Sequence, residues 1–214
     1  MTIETIACPE CGKPPGVCIC DRVEKVATQL RVVILQHPQE DDALLGTAKL
    51  VEVTLPKAEV RVGLSWASLD QAIGARNADR ERWAVLAVAK LPVPVPGEAR
   101  SEPVVVIDRK GRLRDLKRHG LEGIIVLDGT WSQAKTLWWR NAWLLKLPRV
   151  VLQPREPSMY GRLRKEPRKE WVSTLEAIGD VLPALGEPEA LRSNLRRLLR
   201  TLLQRARDQA TISP

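Results

Sequence analysis

The stretch GIIVLDGTWSQAKTL (residues 123–137) decides the fold of this chain. Its first part, GIIVL, is a short apolar run rich in β-branched side chains, which predicts a buried β-strand. A helical pattern follows and extends to Leu145, with Ser132 as the expected N-cap. A strand that passes directly into a helix is typical of an α/β sheet, and it places Asp128 at the carboxyl end of the strand.

Further apolar runs predict the rest of the sheet. They lie at 31–37 (RVVILQH), Val60–Leu64, Ala84–Val88, Val104–Ile107 and Val150–Leu152. Several are too continuously apolar to have a solvated face, so we predict a mostly parallel sheet with helices on both faces. Further helical patterns cover Trp66–Asn77, Trp171–Leu182 and Glu189–Asp208, the last with leucines at helical spacing.

Composition limits the possible functions. The chain has 214 residues, 44% of them hydrophobic, which is enough for one domain with its own core and a small appendage. Its net charge of +8 favours a polyanionic partner without requiring one. No segment approaches the roughly 20 apolar residues that span a bilayer, and the N-terminus has no secretory pattern, so we expect a cytoplasmic protein without a membrane segment. No pattern indicates an obligate protein partner.

All four cysteines, Cys8, Cys11, Cys18 and Cys20, lie within 13 residues of the N-terminal segment. A reducing compartment argues against disulfides. Four thiolates at this spacing can surround one tetrahedral ion, and structural zinc is the favoured interpretation because no coordination position would stay open for catalysis. An iron–sulfur cluster and free thiols are the alternatives.

The DGTW run, Asp128 to Trp131, is the candidate reaction centre. Ligands gather at the carboxyl ends of parallel strands, where loops open onto a crevice and helix N-termini face it. Gly129 would let a cofactor approach the backbone closely. On the alternative interpretation, Asp128 caps the helix, Thr130 turns the chain and Trp131 fills the core.

A family resemblance adds to this picture. LDGTWSQAKTLWWRNAWL (127–144) resembles the signature of the DTW-domain family, whose motif reads Asp-X-Thr-Trp. CICD (18–21), VVILQHPQE (32–40) with Thr47 after it, and STLEAI (173–178) resemble further blocks of that family in the same order. We therefore expect a metal-binding segment with four cysteine ligands over residues 1–28, followed by a DTW catalytic domain over 29–214. Kinship with SPOUT-type methyltransferases implies a SPOUT-like fold and leaves open a C-terminal trefoil knot.

Members of the family are tRNA-uridine aminocarboxypropyltransferases. The resemblance therefore implies that S-adenosylmethionine donates its 3-amino-3-carboxypropyl group to N3 of a uridine in tRNA, which makes tRNA the expected partner. Two alternatives stay open. One is a SPOUT-like RNA methyltransferase with the same cofactor, and the other is a non-catalytic, zinc-bearing RNA-binding protein.

The resemblance also assigns site residues. The catalytic candidates are Asp128, Thr130 and Trp131, with Asp128 as the candidate base. The candidates for cofactor binding are Thr47, Gly129, Ser173, Thr174 and Glu176. A basic run near the stretch SMYGRLRKEP predicts RNA contacts by Arg162, Arg164, Lys165 and Arg168. His37 either contacts the pocket or phosphate or is structural.

Overall fold

A computed structural model describes residues 7–40, 44–88, 103–114, 120–161, 163 and 172–212. These residues form a six-stranded sheet. The strands are β1 (Arg31–Gln36), β2 (Ala58–Val62), β3 (Trp83–Val88), β4 (Val104–Ile107), β5 (Gly123–Asp128) and β6 (Arg149–Leu152). Each predicted strand is present, with bounds that differ by at most two residues.

The strand order is β2-β1-β5-β3-β6-β4. All neighbouring strands pair in parallel except β4, which pairs antiparallel to β6 at one edge. The predicted mostly parallel sheet is thus confirmed. Because β1 and β5 run side by side in the same direction, Gln36 lies in register with Asp128 at their carboxyl ends.

The helices are α1 (Ala48–Thr54), α2 (Leu69–Ile73), α3 (Trp131–Arg140), α4 (Thr174–Ala184) and α5 (Ala190–Ile212). They cover both faces of the sheet. Val32 and Ile34 of β1 belong to a core that includes α1, α4 and α5. Val33 and Leu35 belong to a second core on the other face, with α2 and the 3-10 turn at Ala142–Lys146. Burial on both faces explains why the strand sequences are apolar without alternation.

The start of α3 differs from the prediction. Thr130, not Ser132, is the N-cap, because Thr130 and Gln133 form a capping box. The Thr130 hydroxyl accepts a hydrogen bond from the Gln133 amide at 3.4 Å, and Gln133 Oε1 accepts one from the Thr130 amide at 2.6 Å. The helix ends at Arg140 rather than Leu145, and a short 3-10 turn continues the chain.

Other helices also deviate from expectation. The pattern at 66–77 yields only the short α2, which Ser68 caps and Gly74 ends with a left-handed φ of 64°. The short α1 was not predicted. The helix predicted from Trp171 begins at Thr174 in the structure, and Trp171 itself lies outside the described residues. No helix within the described part of the chain combines the length and apolarity needed to cross a membrane.

The N-terminal segment packs on the same core as the sheet. Val17 and Ile19 are fully buried in the cluster that contains α4 and α5. Arg205 of α5 forms two hydrogen bonds with the carboxylate of Asp21, at 2.9 and 2.8 Å. The N-terminal segment therefore packs against the sheet domain through buried side chains and hydrogen bonds. The domain boundary after residue 28 stays a prediction.

Candidate active site

A cavity of about 630 Å³ opens at the carboxyl edge of the sheet. This volume is in the usual range for small-molecule sites. Its walls come from the ends of β3 and β5, from α3, from the loop before α1 and from the start of α4. Most of the residues predicted for catalysis and cofactor binding line it, namely Thr47, Asp128, Gly129, Thr130, Trp131, Ser173 and Thr174. The fold thus brings together predicted residues from three distant parts of the sequence.

Asp128 is buried at the end of β5 and is held by two donors. Gln36 Nε2 donates to Asp128 Oδ2 at 2.8 Å, and Thr174 Oγ1 donates to Oδ1. One donor contacts each oxygen, so the Asp128 carboxylate is fixed in one orientation at the cavity wall.

The backbone at Gly129 adopts a conformation that favours glycine, with φ of 144°. A Cβ atom there would lie 2.9 Å from Gln133 Cβ and 2.9 Å from Gln133 Oε1. The Gln133 side chain is itself engaged, because its Nε2 donates to the carbonyl of Gln39 at 3.0 Å. Gly129 thus lets the loop after β5 pass close to α3, while Gln133 ties it to the loop after β1.

Helices α3 and α4 begin at the cavity, with Thr130 and Ser173 as their N-caps. Helix N-termini carry a partial positive charge, which suits a carboxylate, although the capping boxes already occupy some of the first amides. Thr47 lies beside the N-terminus of α4, where its hydroxyl accepts a hydrogen bond from the Leu175 amide at 3.4 Å. The cavity can therefore hold a negative group at α4 and a positive group near Asp128.

Glu176 does not line the cavity. Its buried carboxylate accepts hydrogen bonds at 2.8 Å from three donors: the Ser173 amide, the Ser158 hydroxyl and the Met159 amide. It thereby ties α4 to the segment that ends in Tyr160, whose hydroxyl donates to the carbonyl of Leu45 at 2.6 Å. The structure gives Glu176 a structural position, and its predicted contact with a cofactor stays a prediction.

The four cysteines lie together as free thiols, with all sulfur atoms within 4.8 Å of one another. Cys8 and Cys20 are 3.7 Å apart, as are Cys11 and Cys18. A tetrahedral zinc ion with Zn–S bonds of about 2.3 Å has sulfur–sulfur edges of about 3.8 Å. A disulfide would need about 2.0 Å. The cluster therefore fits a closed, structural metal site.

The cysteine thiols of the cluster differ in pKa. Backbone hydrogen bonds from Cys11 and Glu10 lower the pKa of the Cys8 thiol to about 7. Burial raises the pKa of the Cys11 and Cys20 thiols. Four neighbouring thiolates would repel one another, so a bound cation is what would keep all of them deprotonated.

Sequence reasoning missed Lys13, which lies between Cys11 and Cys18 in the sequence. The side chain is only 2% exposed, and Nζ donates to the carbonyls of Leu44 and Gly46 at 3.0 and 2.7 Å. These carbonyls belong to the loop that leads into Thr47 at the cavity. Nothing in the local sequence marks Lys13 as buried, since a lysine beside glycine and proline is ordinarily exposed.

The predicted RNA-binding residues Arg162, Arg164, Lys165 and Arg168 lie outside the described residues. His37 is buried, and its Nδ1 accepts a hydrogen bond from the Gln39 amide at 3.2 Å, which is a structural contact in the loop after β1.

Trp131 does not fill the core, because its side chain is 56% exposed at the cavity. Among the residues that line the cavity without a role assigned from sequence are Lys135, Trp138, Trp139 and Arg149. The helical spacing from Trp131 could have indicated Lys135, Trp138 and Trp139, whereas no local pattern marked Arg149.

Comparison with known proteins agrees with the geometry. A family model for the DTW domain matches residues 5–207. A mouse (Mus musculus) protein, tRNA-uridine aminocarboxypropyltransferase 2, is 26% identical over 205 residues, covering 91% of this chain and 61% of its own length. The Drosophila melanogaster protein of that name is 29% identical over 211 residues, covering 96% of this chain and 76% of its own. An Arabidopsis thaliana relative, tRNA-uridine aminocarboxypropyltransferase A, is 26% identical, with 95% and 80% covered.

The chain spans about three fifths of the length of its mouse and macaque (Macaca fascicularis) relatives. No solved structure matches it significantly.

Proposed function

Because this chain belongs to the DTW-domain family, we propose that it transfers the 3-amino-3-carboxypropyl group of S-adenosylmethionine to N3 of a uridine in tRNA. The observation that carries this proposal is the buried Asp128 carboxylate, held by Gln36 and Thr174 at the wall of a cavity of suitable size. Relatives named for this activity match more than 90% of the chain, which supports the reaction and the tRNA substrate.

The cavity residues fit S-adenosylmethionine. Leu86 and Val126 offer an apolar surface for the adenosine, and the Thr174 amide at the N-terminus of α4 offers a donor for the methionine carboxylate. Asp128 supplies a negative charge that suits a sulfonium or an ammonium group. When bound, the cofactor supplies an electrophilic methylene carbon next to its sulfonium.

Orientation decides which group is transferred, because three carbon atoms surround the sulfonium. Holding the carboxylate at α4 fixes the direction of the aminocarboxypropyl arm relative to Asp128 and Trp131. Such positioning raises the rate of one substitution over the others without any change in intrinsic reactivity.

Asp128 is the proposed base. N3 of uridine is a weak nucleophile until its proton is lost, and an ionised carboxylate within hydrogen-bond reach can accept that proton. The electron pair of the broken N3–H bond then forms the N3–C bond, while the bond from sulfur to the transferred carbon breaks and methylthioadenosine leaves. Gln36 and Thr174 hold the carboxylate in one orientation for this role.

The cysteine cluster is proposed to hold structural zinc. Four sulfur ligands leave no position for substrate, so the ion would crosslink the N-terminal segment and take no part in the transfer. The SPOUT-like relationship, the C-terminal knot and the RNA contacts of Arg162, Arg164, Lys165 and Arg168 stay predictions from the resemblance.

Product analysis tests the proposal. Unmodified tRNA is incubated with the protein and S-adenosylmethionine, digested to nucleosides and analysed by mass spectrometry. The expected result is a uridine carrying an aminocarboxypropyl group, formed together with methylthioadenosine. A methylated nucleoside with S-adenosylhomocysteine would instead support the methyltransferase alternative. An unchanged tRNA, with no binding of S-adenosylmethionine, would overturn the proposal.

A further inference from the structure

One face of α3 carries aromatic and basic side chains along the rim of the cavity. Trp131, Lys135, Trp138 and Trp139 are spaced at i, i+4, i+7 and i+8, so they project from the same side of the helix. All four line the cavity, together with Arg149 at the start of β6. We call these five residues the α3 stripe.

Two of the tryptophans are unusually open to solvent. Trp131 is 56% exposed and Trp139 is 68% exposed. Tryptophan is normally well buried, and exposed aromatic groups that are continuous with a ligand site mark binding surfaces rather than accidental exposure. The proposed transfer reaction gives Trp139 no task, since catalysis needs only the part of the cavity around Asp128.

Cations accompany the rings. The Arg149 guanidinium lies over the Trp138 ring, 5.7 Å from its centroid. Arg149 Nε is buried and has no hydrogen-bond partner among the described residues. Lys135 is exposed between Trp131 and Trp139 along the stripe. The face therefore combines aromatic rings with positively charged side chains, one of which, Arg149, has a hydrogen-bond donor without a partner among the described residues.

This combination is what sequence-tolerant binding of single-stranded nucleic acid requires, since bases stack on rings while cations contact the phosphates. We propose that the α3 stripe binds unpaired tRNA nucleotides adjacent to the target uridine. In this arrangement one base stacks on Trp139, and Lys135 and Arg149 contact phosphates. The identity of the nucleic acid rests on the proposed function, and the stripe adds where on this chain the RNA lies.

The dimensions agree with an RNA path into the cavity. Eight residues separate Trp131 from Trp139, which is about 12 Å along a helix. That distance corresponds to roughly three stacked nucleotides at about 3.4 Å each. A strand that stacks on Trp139 would thus reach the Asp128 end of the cavity within a few nucleotides, and the overall charge of +8 complements it.

The test compares substitutions on and off the stripe. Trp139→Leu removes the aromatic face and keeps apolar bulk, whereas Trp139→Phe keeps a ring. Lys135→Ala removes a charge from the stripe, and Arg140→Ala removes the same charge from the opposite side of the same helix. For each variant, tRNA dissociation constants are measured by fluorescence anisotropy at several salt concentrations. S-adenosylhomocysteine binding is measured by calorimetry.

We expect Trp139→Leu to raise the tRNA dissociation constant at least about fivefold, because one stacked base contributes about 1 kcal/mol or more. Trp139→Phe should retain most of the affinity. Lys135→Ala should lower the salt dependence of tRNA binding by nearly one phosphate contact, and Arg140→Ala should not. The dissociation constant for S-adenosylhomocysteine should be unchanged in all four variants.

Two results would overturn the inference, and they are distinguishable. If the wild type modifies tRNA while Trp139→Leu and Lys135→Ala bind tRNA as tightly as Arg140→Ala does, the stripe is not the RNA path, although the proposed function stands. If the wild type binds S-adenosylhomocysteine but neither binds nor modifies tRNA, the proposed function and the inference fail together.

Discussion

Replacing Lys13 by methionine should weaken both the fold and the cofactor site. The Lys13 ammonium group donates to two loop carbonyls, those of Leu44 and Gly46, and its side chain is almost fully buried. Methionine keeps the length and the apolar stem of the side chain and removes the charge and the donors. The loop at residues 44–46, which leads into Thr47, would then lose its hydrogen bonds to the N-terminal segment that carries the cysteines.

The magnitude follows from the contacts. Two hydrogen bonds from a charged donor contribute about 3–6 kcal/mol together. Part of this is offset because Lys13→Met also removes the desolvation cost of a buried ammonium group. We therefore expect a loss of about 2–4 kcal/mol in the free energy of unfolding. With a urea dependence of about 2–3 kcal/mol per molar, the unfolding midpoint falls by roughly 1 M.

The cofactor site should weaken as well. If the loop before Thr47 has one more residue to order on binding, the cost is about 1–2 kcal/mol, or a five- to thirtyfold rise in the dissociation constant for S-adenosylhomocysteine. Unfolding is followed by tryptophan fluorescence and binding by calorimetry. Lys25→Met is the matched control, since Lys25 is exposed in the same segment. Equal binding by the two variants would refute the link between Lys13 and the cavity.

Three further predictions concern the site. Gly129→Ala should destabilise the protein by about 2–4 kcal/mol and abolish transfer, because its Cβ would clash with Gln133 at a φ of 144°; urea unfolding and turnover check this. Thr174→Val should lower the transfer rate about tenfold or more by removing a donor to the buried Asp128 carboxylate, as single-turnover kinetics would reveal. Removal of zinc by a chelator, or Cys11→Ser, should release one metal ion per chain and lower the melting temperature, measured by metal analysis and calorimetry.

The two substitutions at the cavity have matched controls, and the metal prediction has a contradicting outcome. Gly120→Ala adds the same methyl group where no heavy atom lies within 4 Å, so its stability should not change. Thr174→Ser keeps the hydroxyl donor and should restore most of the rate. A purified chain with no bound metal, and with unchanged stability in chelator, would contradict the structural zinc site.

The sheet was predictable because most of its strands are buried on both faces. Residues 31–37 and 123–127 are apolar runs without alternation, which few other structures produce. The position of Asp128 followed directly from the strand that precedes it. The sequence contains the capping box of α3, because Thr130 and Gln133 stand three residues apart. Residue type alone did not identify this cap, because serine is as good an N-cap as threonine and Ser132 lies two residues further on.

The contacts that shape the site were not predictable from local patterns. Gln36 meets Asp128 only because β1 and β5 pair in a particular register. The Glu176 carboxylate accepts hydrogen bonds from Ser158 and Met159, which are distant in sequence, and its contact with a cofactor stays a prediction. The burial of Lys13 depends on carbonyls more than 30 residues away. Each of these contacts depends on how distant segments are arranged in three dimensions, which the helical or strand periodicity of the sequence does not indicate.

The most direct test of the central claim is the single-turnover rate of aminocarboxypropyl transfer to tRNA by Asp128→Asn. The control is Asp208→Asn, an exposed aspartate on α5 that does not line the cavity. We predict that Asp128→Asn slows transfer at least about 100-fold while S-adenosylhomocysteine and tRNA still bind, because the base is lost and the shape is kept. Transfer by Asp128→Asn at the rate of Asp208→Asn would contradict the assignment of Asp128 as the base of the reaction.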